Sequence, residues 1–269
     1  MPQLATHRFK IRYTGGDADE NQIPFYDGST SINGICQALQ ITTHAYINDA
    51  VISRATALRG AKFYLRPAKS GSFLVEVVAF IEQYPASAAI AAPVFYDFIK
   101  LAWSKATGLL DTEPDTSSVR RLLDRDEPYF DELAETLEGS LQRAHRPIGE
   151  GVRGITLEQA RKPLLNLTSE TKDWVNTADE LPQIETLEGN VTRFNSVTRN
   201  GRVYLDDLQR IVPFKPAPEF PPARFGYLTW SLHGSNTDLL SRLELDVKRV
   251  RAANGRTKRV ILMDCRRLT

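Results

Sequence analysis

The clearest hydrophobic pattern in the chain predicts a β-hairpin over residues 61–82. Its first arm, residues 61–66, is aromatic and alternates apolar with polar side chains, as a strand does. Its second arm, residues 73–81, is an apolar run interrupted only by Glu76. Proline and glycine within residues 67–72 can reverse the chain between the arms. Because a run with one charge needs cover on both faces, the second arm is predicted to be a central strand with helices packed on it.

Other patterns extend this hairpin into an α+β unit. Residues 7–13 alternate basic with apolar or aromatic side chains, which predicts a strand with one exposed face. Residues 31–47 place apolar side chains close to one helical face, and Asp27 or Ser29 is in position to cap that helix. Residues 86–107 are Ala-rich and aromatic, which favours a second helix on the sheet.

The middle of the chain has helical spacing. Residues 117–124 and 131–144 are predicted to be helices, the second with leucines four residues apart. Pro128 and the acidic residues before it mark the start of that second helix. Residues 148–154 are Gly-rich, and residues 161–182 mix turn signals with short apolar runs, so we interpret this segment as a connector.

From residue 184 the hydrophobic period changes to that of strands. Asn-Gly pairs at residues 200–201 and 254–255 favour hairpin turns, and residues 223–233 form a short helix or a turn. The predicted strands cover residues 188–195, 202–205, 210–214, 240–251 and 256–268. Five short strands in this length favour a small barrel of the SH3 or OB kind.

The predicted fold class is therefore α+β. An N-terminal strand-helix-hairpin unit with packed helices is followed by a C-terminal small β-barrel, SH3-like or OB-like. The predicted domains are an α+β domain at residues 1–110, an acidic helical segment and connector at 111–183, and a basic small barrel at 184–269.

The net charge of +1 conceals an uneven distribution. Residues 111–189 carry 9 basic and 18 acidic side chains, whereas residues 190–269 carry 15 basic and 7 acidic ones. This division argues either for separate partners or for two segments that face each other, and ordinary solvated surfaces are a third interpretation.

The strongest functional signal is a set of eight cations on and beside the last predicted hairpin. They are Lys248, Arg249, Arg251, Arg256, Lys258, Arg259, Arg266 and Arg267. A two-stranded ribbon with this charge can follow a phosphate backbone. The alternatives are that these cations pair with the acidic middle segment or protect an edge strand from aggregation.

Signals for catalysis are weak. The sequence contains no nucleotide-binding loop, HExxH, CxxC pair, GxSxG elbow or kinase signature, and no cofactor or metal is predicted. Asp206 and Asp207 lie on a predicted loop, where they can hold a divalent cation as in a nuclease. Adjacent acidic residues are also common in turns that bind no ion.

The overall layout, with Gly71-Ser72-Phe73 opening the apolar strand and a small β-domain at the C-terminus, resembles uncharacterised bacterial proteins of unknown function. The resemblance brings no catalytic motif. Some such proteins are associated with mobile elements and phage defence, so the resemblance implies a bacterial protein and a role in antiviral defence.

We therefore expect a cytoplasmic, non-enzymatic binding protein that contacts nucleic acid or another polyanion through its C-terminal hairpin. The first alternative is a protein–protein adaptor or a subunit of a larger assembly, with an acidic protein surface as partner. The second is a metal-dependent nuclease or hydrolase. No signal peptide, disulfide framework or membrane contact is expected, because the chain lacks an N-terminal apolar segment, has two cysteines and contains no apolar run of about 20 residues.

Overall fold

A computed structural model describes residues 3–52, 60–66, 73–83, 92–125, 127–236, 241–253 and 255–268. The chain forms two compact units. The first comprises Met1–Arg125 and Leu133–Val175, and the second comprises Asp126–Glu132 and Asn176–Thr269. Residues 54–58, whose β-like pattern predicts another short strand before the hairpin, lie outside the described residues.

The first unit is built on a five-stranded antiparallel sheet in the order β2-β3-β1-β4-β5. The elements in chain order are β1 (Gln3–Thr14), α1 (Phe25–Asn48), β2 (Ala61–Arg66), β3 (Leu74–Gln83), α2 (Ala92–Ala106), α3 (Ser117–Arg125), α4 (Glu127–Ala144), β4 (Gly154–Gln159), β5 (Lys162–Leu167) and α5 (Ser169–Asn176). α4 begins in the second unit and continues into the first.

The structure confirms the predicted hairpin and its central strand. Ala61 lies opposite Ile81 and Arg66 opposite Glu76, and β3 also pairs with β1 on its other side. Along β1 every second side chain from residue 7 to residue 13 is buried, as the alternating pattern predicted. Phe95 and Tyr96 of α2 pack against His7 and Phe9 on this face.

One strand pair was not foreseen. β4 and β5 lie within the segment interpreted as a connector, and β4 extends the sheet beside β1. The turn between them uses Ala160 and Arg161, with φ of 48° and 71°. A two-residue turn with two positive φ values usually contains Asn or Gly, so residues 160–161 carry no recognisable hairpin signal. Arg12 anchors β4 through two hydrogen bonds to Glu158, of 2.7 and 3.3 Å.

α1 begins six residues earlier than predicted, and the predicted caps are wrong. Pro24 occupies the N-cap position without a side-chain bond, so Asp27 lies inside the helix, where it pairs with Arg146 at 2.6 Å. Phe25 and Tyr26 are 91% and 65% exposed. Because these side chains face solvent, the first turn breaks the apolar periodicity on which the prediction depended.

The second unit contains a closed barrel of five strands, as predicted. They are β7 (Glu185–Phe194), β8 (Gly201–Leu205), β9 (Arg210–Pro216), β10 (Leu243–Arg251) and β11 (Thr257–Arg267), and the short strand β6 (Asp179–Glu180) adds to β10. β7, β8 and β9 form a meander, β9 pairs in parallel with β11, and β10 closes the barrel between β11 and β7.

This strand order, with α6 (Phe225–Asn236) between the third and fourth barrel strands, is the connectivity of the OB-fold. Apolar side chains from all five strands fill the interior, and Leu228 of α6 packs among them. Among the described residues, no helix has both the length and the apolar character needed to cross a membrane.

The contact of α1 with α4 generates a stability prediction. A Cβ atom at Gly34 would lie 2.5 Å from the Ser140 carbonyl oxygen and 2.6 Å from the Ala144 amide nitrogen. We expect Gly34→Ala to lower the free energy of unfolding by about 1–3 kcal/mol, because backbone atoms must move apart. Gly139→Ala on α4 is the matched control, since a Cβ there meets nothing within 4 Å, and it should be neutral or stabilising. Urea denaturation of both variants tests this, and equal midpoints would contradict the close packing.

Buried histidines generate a second prediction. Burial lowers the pKa of His145 from 6.5 to about 4 and also lowers the pKa of His7. The unfolded chain therefore binds more protons than the folded chain between pH 6.5 and 4, and the first unit should lose stability as the pH falls through that window. His145 contributes up to about 3 kcal/mol of this loss.

The measurement is the slope of the unfolding free energy against pH in wild type and His145→Gln. The variant is expected to show a shallower slope whatever its stability at pH 7. The same slope in both proteins would show that His145 titrates normally in the folded state.

Candidate nucleic-acid interface

The eight cations predicted from the sequence occupy different environments. Arg249 follows Leu245 and Val247 in the row of side chains that points into the barrel, and it is 6% exposed. Its guanidinium lies 3.0 Å from the Glu185 carboxylate and also contacts Asp207. Arg249 therefore closes one end of the barrel interior as a buried cation, and its two acidic partners are 33% and 38% exposed.

Two further cations have acidic partners on the outer surface of β10 and β11. Lys248 lies 3.3 Å from Glu180 of β6. Arg266 donates two hydrogen bonds to Glu244, of 2.8 and 3.0 Å, and lies 3.4 Å from Asp246. These carboxylates compensate much of the positive charge on this side of the hairpin.

Lys258 is the extra residue of a β-bulge. Val250 pairs with Arg259 and Arg251 pairs with Thr257, so no residue of β10 lies directly across from Lys258 in the ladder. It is 7% exposed, and its Nζ donates to the Thr177 carbonyl oxygen at 3.3 Å. The Lys258 ammonium is thus turned toward backbone oxygen.

The other four predicted cations are better exposed. Arg251 and Arg259 are half-buried, and Arg256 and Arg267 are exposed. Arg251, Arg256 and Arg259 lie at the β10–β11 turn, whereas Arg267 lies at the far end of β11 beside α6.

Positive charge is concentrated at the turn by a residue that the sequence analysis did not select. Arg210, at the start of β9, donates a 2.6 Å hydrogen bond to the Thr257 carbonyl oxygen. Burial lowers the pKa of Arg210, and the charges of Arg256 and Arg249 lower it further. The guanidinium groups of Arg210, Arg249 and Arg256 therefore lie close enough to one another to interact electrostatically.

An outer face of three strands brings exposed apolar groups beside some of these cations. Tyr204 of β8 lies opposite Ile211 of β9, and they are 36% and 40% exposed. β11 runs parallel to β9, with the inward residues Val260 and Phe214 opposite each other. The preceding residue on β11, Arg259, therefore points outward beside β9.

We call this surface the β8–β9–β11 face and define it by Tyr204, Ile211, Pro213, Lys215, Arg259 and Ile261. At the other end of this face, Lys215 lies opposite Ile261 and is exposed. Arg202 continues the outward row of β8, but its Nε lies 3.2 Å from the Asp131 carboxylate, and each of these two side chains is only 13% exposed. The accessible part of the face is therefore centred on Tyr204 and Ile211.

The sequence analysis missed Tyr204, Ile211 and Lys215. The alternation in β8 and β9 was a usable signal. Val203 and Val212 point into the core, so the alternation places Tyr204, Ile211 and Lys215 on the outer face of the same strands. Their proximity to Arg259 had no sequence signal, since it depends on the pairing of β9 with a strand far along the chain.

The candidate metal ligands Asp206 and Asp207 lie on the loop between β8 and β9 and face arginines. Asp206 contacts Arg242, and Asp207 contacts Arg249. Within the parts of the chain that the structure describes, no three His, Cys, Asp or Glu side chains are grouped as ligands of a metal ion. The charge of both aspartates is thus used in ion pairs.

Two family models match the chain. Residues 9–176 match the domain of unknown function DUF7946, and this match covers more than half of the chain. The chain belongs to the DUF7946 family. Beyond the DUF7946 domain, residues 183–266 match DUF7947, a family of unknown function, and this match begins just before β7 and ends within β11. No curated protein and no solved structure matches this DUF7946 chain.

The ion pairs of Arg249 generate a prediction about the barrel. Arg249→Met should lower the free energy of unfolding of the second unit by roughly 1–3 kcal/mol, because Glu185 and Asp207 lose their shared partner while keeping some contact with water. Arg256→Met is the matched control, because Arg256 is exposed, and exposed positions of this kind change stability by about 0.5 kcal/mol or less. Calorimetric unfolding of both variants provides the measurement, and an equal effect would show that Arg249 is not a structural cation.

Proposed function

We propose that this chain is a non-enzymatic nucleic-acid-binding protein whose C-terminal barrel takes single-stranded nucleic acid across the β8–β9–β11 face. The observation that supports the proposal is the exposed pair Tyr204 and Ile211, with Arg259 and Lys215 on the same face. Stacking surfaces beside cations are what a single strand requires.

The aromatic group favours a single strand over a duplex. The ring of Tyr204 offers a flat surface on which a base can stack, and such stacking contributes about 1–3 kcal/mol per base. The bases of a duplex are already stacked on each other and present only their edges. A duplex would therefore contact the arginines but gain little from Tyr204 or Ile211.

The cations supply the contacts with phosphate. Arg259 and Lys215 lie on the face itself, and Arg251 and Arg256 extend the positive charge to the β10–β11 turn. Arg249 and Lys258 are buried, so they contribute to the electrostatic potential at this end of the barrel more than through direct contact with phosphate. A path for the backbone from the turn along β11 follows from this arrangement.

The fold is compatible with this use. In OB-folds the face of the second and third strands and the loops beside it bind oligonucleotides and oligosaccharides. Fold alone does not determine function, so the proposal depends on the side chains of the face. As part of the same proposal, we assign the protein to the bacterial cytoplasm and to defence against phage, on the basis of the resemblance described above.

The test is fluorescence anisotropy with a labelled single-stranded oligonucleotide over a series of salt concentrations. Tyr204→Ala should weaken binding by about 1–3 kcal/mol per stacked base, or roughly 5-fold to 150-fold, with little change in salt dependence. Arg259→Gln should reduce the slope of log affinity against log salt by about 0.7, the value of one lost phosphate contact on a single strand.

Arg266→Gln is the matched control, because Arg266 is an exposed cation of the same strand that already has two acidic partners. Its effect on affinity should be clearly smaller than that of Arg259→Gln. Equal binding of duplex and single strand, or no effect of Tyr204→Ala, would refute the proposed face. If the wild-type protein binds neither RNA nor DNA at low salt, the adaptor role becomes the better hypothesis.

A further inference from the structure

A second cationic surface lies beside α6, on aromatic rings rather than on the β8–β9–β11 face. The Cζ atom of Arg267 is 4.4 Å from the ring centroid of Trp230 and 5.2 Å from that of Tyr227. The Cζ atom of Arg224 is also 5.2 Å from the Tyr227 centroid. Two guanidinium groups therefore share one aromatic ring.

The two arginines differ in how their charge is compensated. The Nε atom of Arg224 donates to Asp264 at 3.1 Å, and Asp264 is itself fixed by the amide of Cys265 at 2.8 Å. Among the described residues no carboxylate pairs with Arg267, although the adjacent Arg266 has two. Arg267 is therefore an exposed cation with no acidic partner among the described residues, and it lies near Arg224, which has one.

Aromatic contact prepares a guanidinium to bind an anion. Stacking uses the face of the planar group and leaves its N–H bonds pointing outward in the plane, where they match the oxygens of a phosphate. Because Trp230 and Tyr227 restrict the side chain of Arg267, less conformational freedom is lost when an anion binds.

The helix leaves room for such a ligand. Gly226 precedes Trp230 by one turn of α6, and a Cβ atom at Gly226 would meet nothing within 4 Å. Because helical side chains lean toward the preceding turn, position 226 is on the side of α6 toward which the Trp230 side chain leans. A longer side chain at position 226 would narrow the approach to the ring and to Arg267.

We propose that Arg267 and Arg224 form a phosphate-binding site, supported by the rings of Trp230 and Tyr227. A phosphate fits better than a carboxylate, because it offers more oxygens and up to two negative charges to two guanidinium groups. The phosphate is either a free one or the terminal phosphate of a nucleic-acid strand. The site does not depend on the β8–β9–β11 face.

Trp230 supplies the measurement in the full-length protein. Trp103 and Trp174 belong to the first unit and are 0% and 7% exposed, whereas Trp230 is half-buried beside the proposed site. Titration with inorganic phosphate at constant ionic strength should change tryptophan fluorescence in a saturable manner, with a Kd of about 1 mM or below. Titration with acetate should produce a smaller response.

Variants assign that response to the site. Arg267→Gln should weaken phosphate binding at least 5-fold, and Arg267→Lys should give an intermediate result because it keeps the charge and loses the planar fork. Gly226→Leu should weaken binding without removing a charge. Arg266→Gln, next in the chain, and Tyr204→Ala, on the other face, should leave the response unchanged. Thermal unfolding confirms that each variant is folded.

Two oligonucleotides identify the source of the phosphate. Tighter binding of a 5′-phosphorylated strand than of its unphosphorylated form, with the preference lost in Arg267→Gln, identifies the terminal phosphate of a strand. Equal binding of the two strands together with a preserved response to inorganic phosphate identifies a free phosphate. The proposal is overturned if phosphate does not change the fluorescence, or if Arg267→Gln and Arg266→Gln change it equally.

Discussion

Side chains on a strand of a closed barrel alternate between the interior and the outside, and this constraint decides what each basic residue of the second unit can do. Arg249 falls on the inward row, where it is buried and pairs with Glu185 and Asp207. Its neighbour Lys248 falls on the outward row and meets Glu180. Cations that are adjacent in the sequence therefore differ in burial, in partners and in the ligands they can contact.

The elements with strong periodicity were predictable from the sequence. The β2–β3 hairpin and the five barrel strands have alternating or continuous apolar patterns, and those patterns identified them. Two features lay beyond such reasoning. The β4–β5 turn adopts positive φ at Ala160 and Arg161, residue types that rarely do so, and the first turn of α1 exposes Phe25 and Tyr26. In both places the local conformation is determined by tertiary contacts that no short pattern encodes.

The positive charge of the candidate site could be predicted from the sequence, but the arrangement and pairing of its side chains could not. Counting cations directed attention to the last hairpin, and all eight residues lie on it or beside its turn. Sequence could not tell that Lys248 and Arg249 are paired, because their acidic partners come from β6, β7 and the β8–β9 loop. It also could not bring Arg259 beside Pro213 of β9, since that proximity arises from a parallel pairing between strands separated by a helix and another strand.

That parallel pairing also has a consequence for how the barrel forms. β11 is the strand that joins β9 to β10, and until it docks both of those strands present unpaired backbone groups and an apolar inner face. The required contacts are distant in sequence, so closure is slow compared with formation of the β7–β8–β9 meander. The open barrel is the species most prone to associate with other copies, and the charged outer rows of β10 and β11 oppose such association while the barrel is incomplete.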